Sequence, residues 1–415
     1  MANLLFQQDV SFEEKLKMMH ESAKFDISDD DALANGYYAG SPDIRNIHAP
    51  PSPPKVPKLF MSNDCIFNCA YCTCRSSRDC SRRYTNSPGE MARIAVETGK
   101  SNGHGVFLTS AIYRNPDYTE ELIVETLRRM RKEYGYKGYI HAKIMPGADP
   151  KLIEEAGYLA DRLSVNIELP KSEGYALIAR QKNKTSILRP MAYINEKIKE
   201  SRLEKSLNAR KFARSGQTTQ VMVGTMCESD RVLISLAEAV YKKYDLRRVY
   251  YSPFNPVQDY EHLPSAPTPK WRARRLYQAD RLVQLYGFKA DELAPEEHPN
   301  FDLGLDPKAG WALRNLNLYP VEVNIADYEL LIRVPGIGVT SARKILQVRR
   351  YRRLTHETLS QMGISLKKAK FFITCSGKYT GGDVLGNPIL REKLSDKPLQ
   401  LSIFDYMPFS PCDYS

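Results

Sequence analysis

The chain has 415 residues, of which 42% are hydrophobic and 26% are charged, a globular composition that excludes the low-complexity, collagen-like and fully disordered classes. Lys and Arg number 60 against 49 Asp and Glu, and the resulting charge of +11 suggests an acidic partner such as nucleic acid. No stretch approaches the ~20 apolar residues of a membrane span, and the N-terminus shows no signal peptide. We therefore predict a cytoplasmic protein that does not contact a membrane, with two or three domains.

Charge and proline content divide the chain into five predicted regions. Residues 1–54 carry nine acids and four bases and end in a proline-rich stretch, which predicts an acidic N-terminal arm and a stiff linker. An α/β domain is predicted over residues 55–262 and a helical bridging segment over 263–320. A basic helical module over 321–376 and an irregular tail over 377–415 complete the chain.

Short apolar runs alternate with amphipathic helical stretches through the α/β region. The predicted strands are Lys58–Ser62, Gly105–Ser110, Gly138–Met145, Arg162–Glu168, Thr218–Gly224 and Arg247–Phe254. Predicted helices between them begin near Ser87, Asp117, Asp149 and Asp230. Six β-α alternations predict a parallel α/β fold, either an incomplete barrel or a doubly wound sheet. In a barrel of this kind the chemistry lies at the C-terminal ends of the strands.

Three cysteines directly after the first predicted strand form the strongest motif. Cys65, Cys69 and Cys72 have the spacing C-x3-C-x2-C, and three thiolates on one loop can bind three irons of a cubane cluster. The fourth iron then stays open for a substrate or cofactor. A zinc site with Cys74 or Cys80 as fourth ligand is an alternative, although zinc usually favours paired C-x2-C units. Buried cysteines that bind no metal are the third interpretation.

With Tyr71 between the second and third cysteines, the motif resembles the C-x3-C-x-aromatic-C signature of the radical SAM superfamily. The segments TSAIYRNPDYT, GYIHAKIMPGADP, RLSVNIELP, VYYSPFNPV and VNIADYELLIRVPGIGVTSARKI also resemble a narrower family of radical SAM proteins described as acting in DNA modification or repair. The resemblance implies a partial (β/α)6 radical SAM barrel that uses a [4Fe-4S] cluster and S-adenosylmethionine (SAM). Reductive cleavage of SAM would yield a 5'-deoxyadenosyl radical.

The same resemblance assigns cofactor contacts at the first and second strands. Tyr71 would lie near the adenine. The methionine amino group would meet the segment that follows the second strand, through backbone carbonyls. That segment consists of Thr109, Ser110 and Ala111.

Further cofactor contacts are predicted at the later strands. Asn166 and Glu168 lie two apart on one strand and would face the ribose or methionine moiety, unless Glu168 instead pairs with Lys143. Gly224 either allows close backbone approach or marks an ordinary strand-to-helix turn. Glu168 and Cys227 are the candidate catalytic residues. The cysteines open to auxiliary-cluster, radical-relay or structural roles are Cys74, Cys80, Cys227 and Cys375.

A second motif lies in the basic region, where residues 321–375 hold ten bases and four acids. Two predicted helices flank a tight turn, and this resembles the helix-hairpin-helix motif of DNA repair and recombination proteins. Backbone N–H groups at such a turn bind phosphate without reading the base. A weaker copy follows, so we predict a small all-α (helix-hairpin-helix)2 domain, with a protein-interaction module as the alternative. The predicted DNA-binding residues are Pro335, Gly336, Ile337, Gly338, Arg343, Lys344, Lys367 and Lys368.

Residues 171–214, with twelve bases and four acids, either extend a nucleic-acid groove or form a solvated surface. Taken together, the sequence predicts a radical SAM enzyme that modifies or repairs a nucleotide in DNA. The resemblance also implies a partner similar to uracil-DNA glycosylase, and the chemistry requires an electron donor such as flavodoxin or ferredoxin. The alternatives are modification of tRNA or other RNA, and a non-enzymatic iron–sulfur or zinc protein that binds nucleic acid.

Overall fold

The computed structural model describes residues 56–77, 83–206, 210–256, 260–386 and 388–396. The predicted acidic arm, Cys80 and the end of the predicted tail lie outside these residues. The described chain forms two compact units: a half-barrel unit, residues 56–226 with 240–267, and a C-terminal unit, residues 227–239 with 268–396. No helix in this described part is both long and apolar enough to cross a bilayer.

The half-barrel unit is built on a six-stranded parallel sheet whose strands are neighbours in chain order. The strands are β1 (Lys58–Phe60), β2 (Val106–Thr109), β3 (Ile140–Lys143), β4 (Arg162–Ser164), β5 (Gln217–Val223) and β6 (Arg248–Pro253). All six lie where the sequence predicted strands, so the parallel α/β class is confirmed. A doubly wound sheet reverses its strand order at a switch point, and the unbroken order here instead gives a partial barrel.

Helices alternate with these strands along the chain. They are α1 (Pro88–Asn102), α2 (Pro116–Arg128), α3 (Pro150–Leu159), α4 (Ser172–Ile178), α5 (Lys184–Leu203) and α6 (Asp230–Tyr244). The predicted start of α1 is confirmed as a capping box, because Ser87 accepts the Glu90 N–H while the Glu90 carboxylate accepts the Ser87 N–H. Because all six strands are parallel, the loops that follow them lie at one edge of the sheet.

The C-terminal unit is mainly helical. Its helices are α7 (Lys270–Tyr286), α8 (Ala290–Leu293), α9 (Pro307–Arg314), α10 (Tyr328–Arg333), α11 (Val339–Val348), α12 (His356–Gln361), α13 (Leu366–Ala369) and α14 (Ile389–Leu394). Its strands are β7 (Val321–Glu322), β8 (Ile373–Cys375) and β9 (Lys378–Tyr379).

The prediction that the C-terminal module is all-α was wrong at its ends. Strand β7 pairs in parallel with β8, which pairs with β9, so a three-stranded sheet joins the start of the module to its end. The Val321 N–H donates to Phe372 O at 2.8 Å and the Val323 N–H to Thr374 O at 3.0 Å. Strands of two or three residues are too short to show periodicity. For the same reason the segment predicted as irregular tail contains β9 and the short helix α14.

Candidate functional site

The cysteine loop follows β1 and is tied to neighbouring loops through its backbone. The Met61 N–H donates to Thr109 O at 2.8 Å, which extends the β1–β2 pairing by one residue. Further along, the Ile66 N–H donates to Ile112 O at 2.9 Å. The Ala70 N–H donates to the carbonyl of Ile178, at the end of α4, at 2.8 Å. Backbone bonds therefore hold the loop at both of its flanks.

Two arginines that the sequence analysis did not identify hold the loop from within. The Arg83 guanidinium donates to the carbonyls of Asn63 at 2.7 Å, Cys74 at 2.8 Å and Arg75 at 2.7 Å. Arg75 donates to Ala70 O at 2.6 Å. These contacts satisfy carbonyls that would otherwise be buried without donors. No sequence pattern indicates them, because an arginine can reach any nearby carbonyl.

Cys65, Cys69 and Cys72 line one cavity. Burial raises the pKa of Cys69 to about 11 and also raises that of Cys65. Cys72 differs, because hydrogen bonds from the thiol and the N–H of Cys74 lower its pKa to about 6. The Cys74 pKa is correspondingly raised, first by its bond to Cys72 and then by burial. Cys74 is thus a hydrogen-bond donor to the neighbouring sulfur, which is a way of tuning a bound cluster.

A cluster and a zinc ion need different arrangements of donor atoms. Among the described residues, no three His, Cys, Asp or Glu side chains converge as ligands of a single ion. Zinc needs four ligands around one centre at about 2.0–2.3 Å, whereas cluster cysteines each bind a different iron. The three thiols line one cavity, as ligands that each bind a different iron would. Cys80, the other fourth-ligand candidate, lies outside the described residues.

Four of the predicted cofactor contacts besides Glu168 line this same cavity: Tyr71, Ser110, Ala111 and Asn166. Thr109 and Gly224 are not among its lining residues. Thr109 is fully buried and its carbonyl accepts the Met61 N–H. Gly224 follows β5 with φ of 88°, a conformation that favours glycine. The structure therefore brings the segment after β2 to the cavity through Ser110 and Ala111 only.

Glu168 lies beside Asn166, and the Asn166 amide donates to its carboxylate at 3.2 Å. Strand β4 ends at Ser164, and Glu168 itself has φ of 65°, which is strained for a residue with a side chain. Two backbone bonds to β5 hold this conformation: Glu168 N–H to Gln220 O at 2.9 Å, and Met222 N–H to Glu168 O at 2.7 Å. A strained backbone fixed in this way positions the carboxylate in the cavity wall.

The Glu168 carboxylate lies between two ammonium groups. Lys143 Nζ is 3.9 Å away, as the ion-pair alternative anticipated, and Lys182 Nζ is 3.7 Å away. Lys182 also donates to the Tyr71 hydroxyl at 3.2 Å. Burial lowers the Lys182 pKa, but Cys69, Glu168 and the other thiols raise it more, so it stays cationic. The cavity thus combines three thiols and a carboxylate with two lysines.

Lys182 belongs to the basic stretch over residues 171–214, and the sequence analysis did not single it out. Several other bases of this stretch form ion pairs: Lys197 with Glu154 and Glu200, Arg202 with Asp245, and Arg214 with Asp161. One lysine of a supposed surface therefore lies in the site, and others stabilise the half-barrel unit. The position of Lys182 shortly after α4 is the one feature of the sequence that indicates a place near the cysteine loop, because the end of α4 bonds that loop.

The two remaining described cysteines lie in the C-terminal unit. Cys227, proposed from sequence as a catalytic residue, is disulfide-bonded in this structure. Its catalytic role stays a prediction. Cys375 is a free, buried thiol in β8, and burial raises its pKa to about 12. A buried neutral thiol in a strand is a packing residue.

Two helices joined by a glycine turn, α10 and α11, lie in the C-terminal unit where the first hairpin was predicted. Asp327 caps α10, and Pro335 follows the end of that helix. Gly336 has φ of 91°, and a Cβ there would lie 3.0 Å from the Ala369 backbone nitrogen. Helix α11 then begins after Gly338 without a side-chain cap. The N–H groups of its first turn therefore have no intrahelical acceptor, beside exposed Arg343 and Lys344.

The second hairpin joins α12 to α13 through Gly363, whose φ is 75°. Lys367 is exposed, and its role in DNA binding stays a prediction. Lys368 is not available for DNA, because its ammonium pairs with Asp306 at 2.7 Å and Asp396 at 3.1 Å. The prediction for Lys368 was wrong because adjacent lysines on a helix point to different sides, one outward and one towards the core.

Comparison with known proteins supports the first of these two sites. Residues 59–215 match the model of the radical SAM superfamily, and no curated protein matches the chain. Similar solved structures include the FeFe-hydrogenase maturase HydG from Carboxydothermus hydrogenoformans, at 17% identity and a TM-score of 0.40, and HydG, a maturase of the [FeFe]-hydrogenase, at 14% and 0.42. They cover 55% and 66% of this chain, which spans only 51% and 62% of theirs.

The matched residues include the cysteine loop, the cavity wall and Lys182. Three separate thiols and two lysines on one cavity, which Ser110 and Ala111 also line, fit an anionic cluster with an open iron. Residues 59–215 are therefore similar to the radical SAM superfamily, whose enzymes use a [4Fe-4S] cluster and SAM.

Proposed function

We propose that this enzyme modifies or repairs a nucleotide in DNA. The observation that carries the proposal is the uncapped start of α11 behind a glycine turn, flanked by exposed Arg343 and Lys344. Amide groups at such a terminus and nearby cations bind phosphate, the sequence-independent part of nucleic-acid recognition. The second turn, with exposed Lys367, offers a further phosphate contact.

In the half-barrel cavity Cys65, Cys69 and Cys72 would hold the cluster. When bound, the cluster and SAM supply a 5'-deoxyadenosyl radical that abstracts a hydrogen atom from an unactivated carbon. Lys143 and Lys182 supply positive charge towards the anionic groups, and the buried wall excludes water. A radical cannot reach a carbon inside a stacked duplex, so the target nucleotide would leave the stack.

The proposal includes two protein partners. An electron donor such as flavodoxin or ferredoxin would reduce the cluster, because reductive cleavage of SAM consumes one electron. A protein similar to uracil-DNA glycosylase would process what this enzyme makes or exposes, as the sequence resemblance implies. Both are testable by co-purification with the anaerobically prepared protein.

The test is anaerobic turnover of the reconstituted full-length protein with SAM, dithionite and DNA. We expect 5'-deoxyadenosine, together with an altered nucleoside in a digest analysed by mass spectrometry. Cys69→Ala, which lacks a cluster ligand, is the matched inactive control. An altered nucleoside only from tRNA would favour RNA modification instead. A cluster-loaded protein that binds DNA but never cleaves SAM would be a binding protein, not an enzyme.

A separate binding measurement tests the hairpin. Lys344→Ala should weaken affinity about equally for two unrelated duplexes and lower the slope of log affinity against log salt by about 0.9. SAM cleavage without DNA should stay unchanged. A substitution at Gly338 is a poorer probe, because a Cβ there would lie 3.2 Å from the Tyr286 hydroxyl.

A further inference from the structure

The turn between the two hairpins has an unusual surface. Arg350, Tyr351, Arg352 and Arg353 follow one another between α11 and α12, and all four side chains are exposed. Tyr351 is 85% exposed, more than any other large hydrophobic side chain in the described part of the chain. An exposed aromatic ring next to cations offers a flat stacking face together with positive charge.

This turn is fixed at both ends. On one side, the Arg349 guanidinium donates to Val323 O at 3.0 Å and also to Ala326 O. On the other, the buried Leu354 exchanges two bonds with the Asn324 side chain, N–H to Oδ1 at 2.8 Å and Nδ2 to the Leu354 carbonyl at 3.1 Å. Both anchors lie on the same short segment after β7. The turn is therefore held in place before any ligand arrives, which lowers the entropy cost of binding.

Within the described residues, none of the three arginines of the turn makes an ion pair or a side-chain hydrogen bond, whereas Arg349 next to them makes two. The Tyr351 ring likewise stacks on no other ring there. A run of exposed cations without ion pairs is ordinarily a solvated surface. A rigid turn that places an exposed aromatic ring between cations has the two components of single-strand recognition, a stacking surface and phosphate-binding charge.

We propose that this turn is a stacking platform for an unpaired nucleotide of DNA. The Tyr351 ring would stack on the unpaired base, and the flanking guanidiniums would bind the phosphates on either side of it. The proposal rests on the proposed function and deepens it, because it defines the substrate as DNA with a base outside the helix rather than a perfect duplex. Stacking on an aromatic side chain tolerates any base.

The experiment compares two DNAs that differ at one position. One is a perfect duplex and the other carries an unpaired 2-aminopurine, whose fluorescence is quenched on stacking. For the full-length protein, Tyr351→Ala should weaken binding to the second DNA about 10-fold, remove the quenching, and leave duplex affinity unchanged. Tyr351→Phe should retain both properties. Tyr134→Ala, which removes another exposed ring, is the matched control and should have no effect.

The failure of this proposal is distinguishable from failure of the proposed function. If Lys344→Ala weakens DNA binding while Tyr351→Ala changes neither affinity nor quenching, the platform is wrong and the hairpin site stands. If wild type binds neither DNA, the proposed function itself fails. Equal loss on both DNAs would show that the ring does not recognise an unpaired base. A third nucleic acid, an RNA of the same length with the same unpaired 2-aminopurine, tests the assignment to DNA. Tighter binding and stronger quenching with this RNA would overturn that assignment.

Discussion

The cations of the half-barrel cavity and those of the turn between the hairpins differ in their surroundings. Lys143 and Lys182 share the Glu168 carboxylate and face three thiols, whereas the arginines over residues 350–353 are exposed and have no described partner. Burying an ammonium group costs several kcal/mol unless opposite charge compensates it, so counter-charges fix the first set. Water solvates the second set and leaves it free for a polyanion. The environment of each cation, not the total of +11, therefore distinguishes the lysines of the cavity from the arginines of the proposed DNA contact.

The largest expected effect concerns the anionic side of the cavity. Replacing Cys65, Cys69 or Cys72 with Ala should each abolish cluster binding, because each thiolate holds a different iron. Cys74→Ala should retain iron, because Cys74 only donates a hydrogen bond to Cys72. The measurement is iron and sulfide content after anaerobic reconstitution. Equal loss of iron in Cys74→Ala would make Cys74 a ligand and reopen the zinc interpretation.

Glu168→Gln tests whether the Glu168 carboxylate compensates the charges of Lys143 and Lys182. We expect a loss in the free energy of unfolding of the cluster-free protein on the order of 2 kcal/mol, below the cost for an ideal buried pair because both N–O distances are long. Urea denaturation measures it, with the exposed Glu173→Gln as control. Weaker SAM binding with unchanged stability would instead show that the carboxylate serves the cofactor and not the lysines.

Glu120 is a buried charge-bearing group without such compensation. Burial raises its pKa to about 8, against one backbone bond from the Met145 N–H, and its other oxygen has no hydrogen-bond partner. Because the folded-state pKa lies above the unfolded value, Glu120 keeps its proton on folding, and its contribution to stability decreases as pH rises from about 4.5 to about 8.

Glu120→Gln should therefore remove a pH dependence on the order of 1 kcal/mol per pH unit within that window. Urea midpoints across the window measure the slope. The exposed neighbour Glu121→Gln is the control and should keep the wild-type slope. If Glu120→Gln also keeps it, the buried carboxyl ionises at an ordinary pH and some other group compensates it.

The sequence predicted the half-barrel better than the C-terminal unit, for a physical reason. Strand β2, which contains Val106, Phe107 and Leu108, is a buried apolar run that follows the helix capped by Ser87, so apolar pattern and capping locate it. Strands β7 and β9 have two residues each, and their pairing depends on the tertiary structure that joins the ends of the module. Local pattern cannot reveal such pairing.

The candidate site likewise contains residues that the sequence indicated and residues that it did not. The cysteine spacing and the aromatic position of Tyr71 are local in sequence, and both were predicted. Lys182 was missed because its partner is distant in sequence: Lys182 meets Tyr71 at 3.2 Å across 111 positions. Arg83 was missed because it donates to backbone carbonyls, which no side-chain pattern indicates. Side-chain charge alone did not show whether a base points into the core, and this is why Lys368 was assigned to DNA.

The smallest expected effect, and the sharpest, concerns two adjacent lysines of α13. Lys367 is exposed, whereas Lys368 pairs with Asp306 and Asp396. Lys367→Ala should lower the salt slope of DNA binding by about 0.9, the value for one phosphate contact, and leave stability unchanged. Lys368→Ala should lower the free energy of unfolding by about 1–2 kcal/mol, because two carboxylates lose a cation, and should leave the slope unchanged.

Fluorescence anisotropy across a salt series and urea denaturation of the same two variants give both quantities. Asp396 keeps a second cation in Arg275, at 2.8 Å, so most of the loss in Lys368→Ala should come from Asp306. The ion pairs lower the Asp306 pKa, so the stability that Lys368 provides should disappear as pH falls through that lowered value. If Lys368→Ala flattens the salt slope as much as Lys367→Ala, then DNA draws a buried cation away from its carboxylates. In that case pairing in the free protein would not predict which cations bind the polyanion.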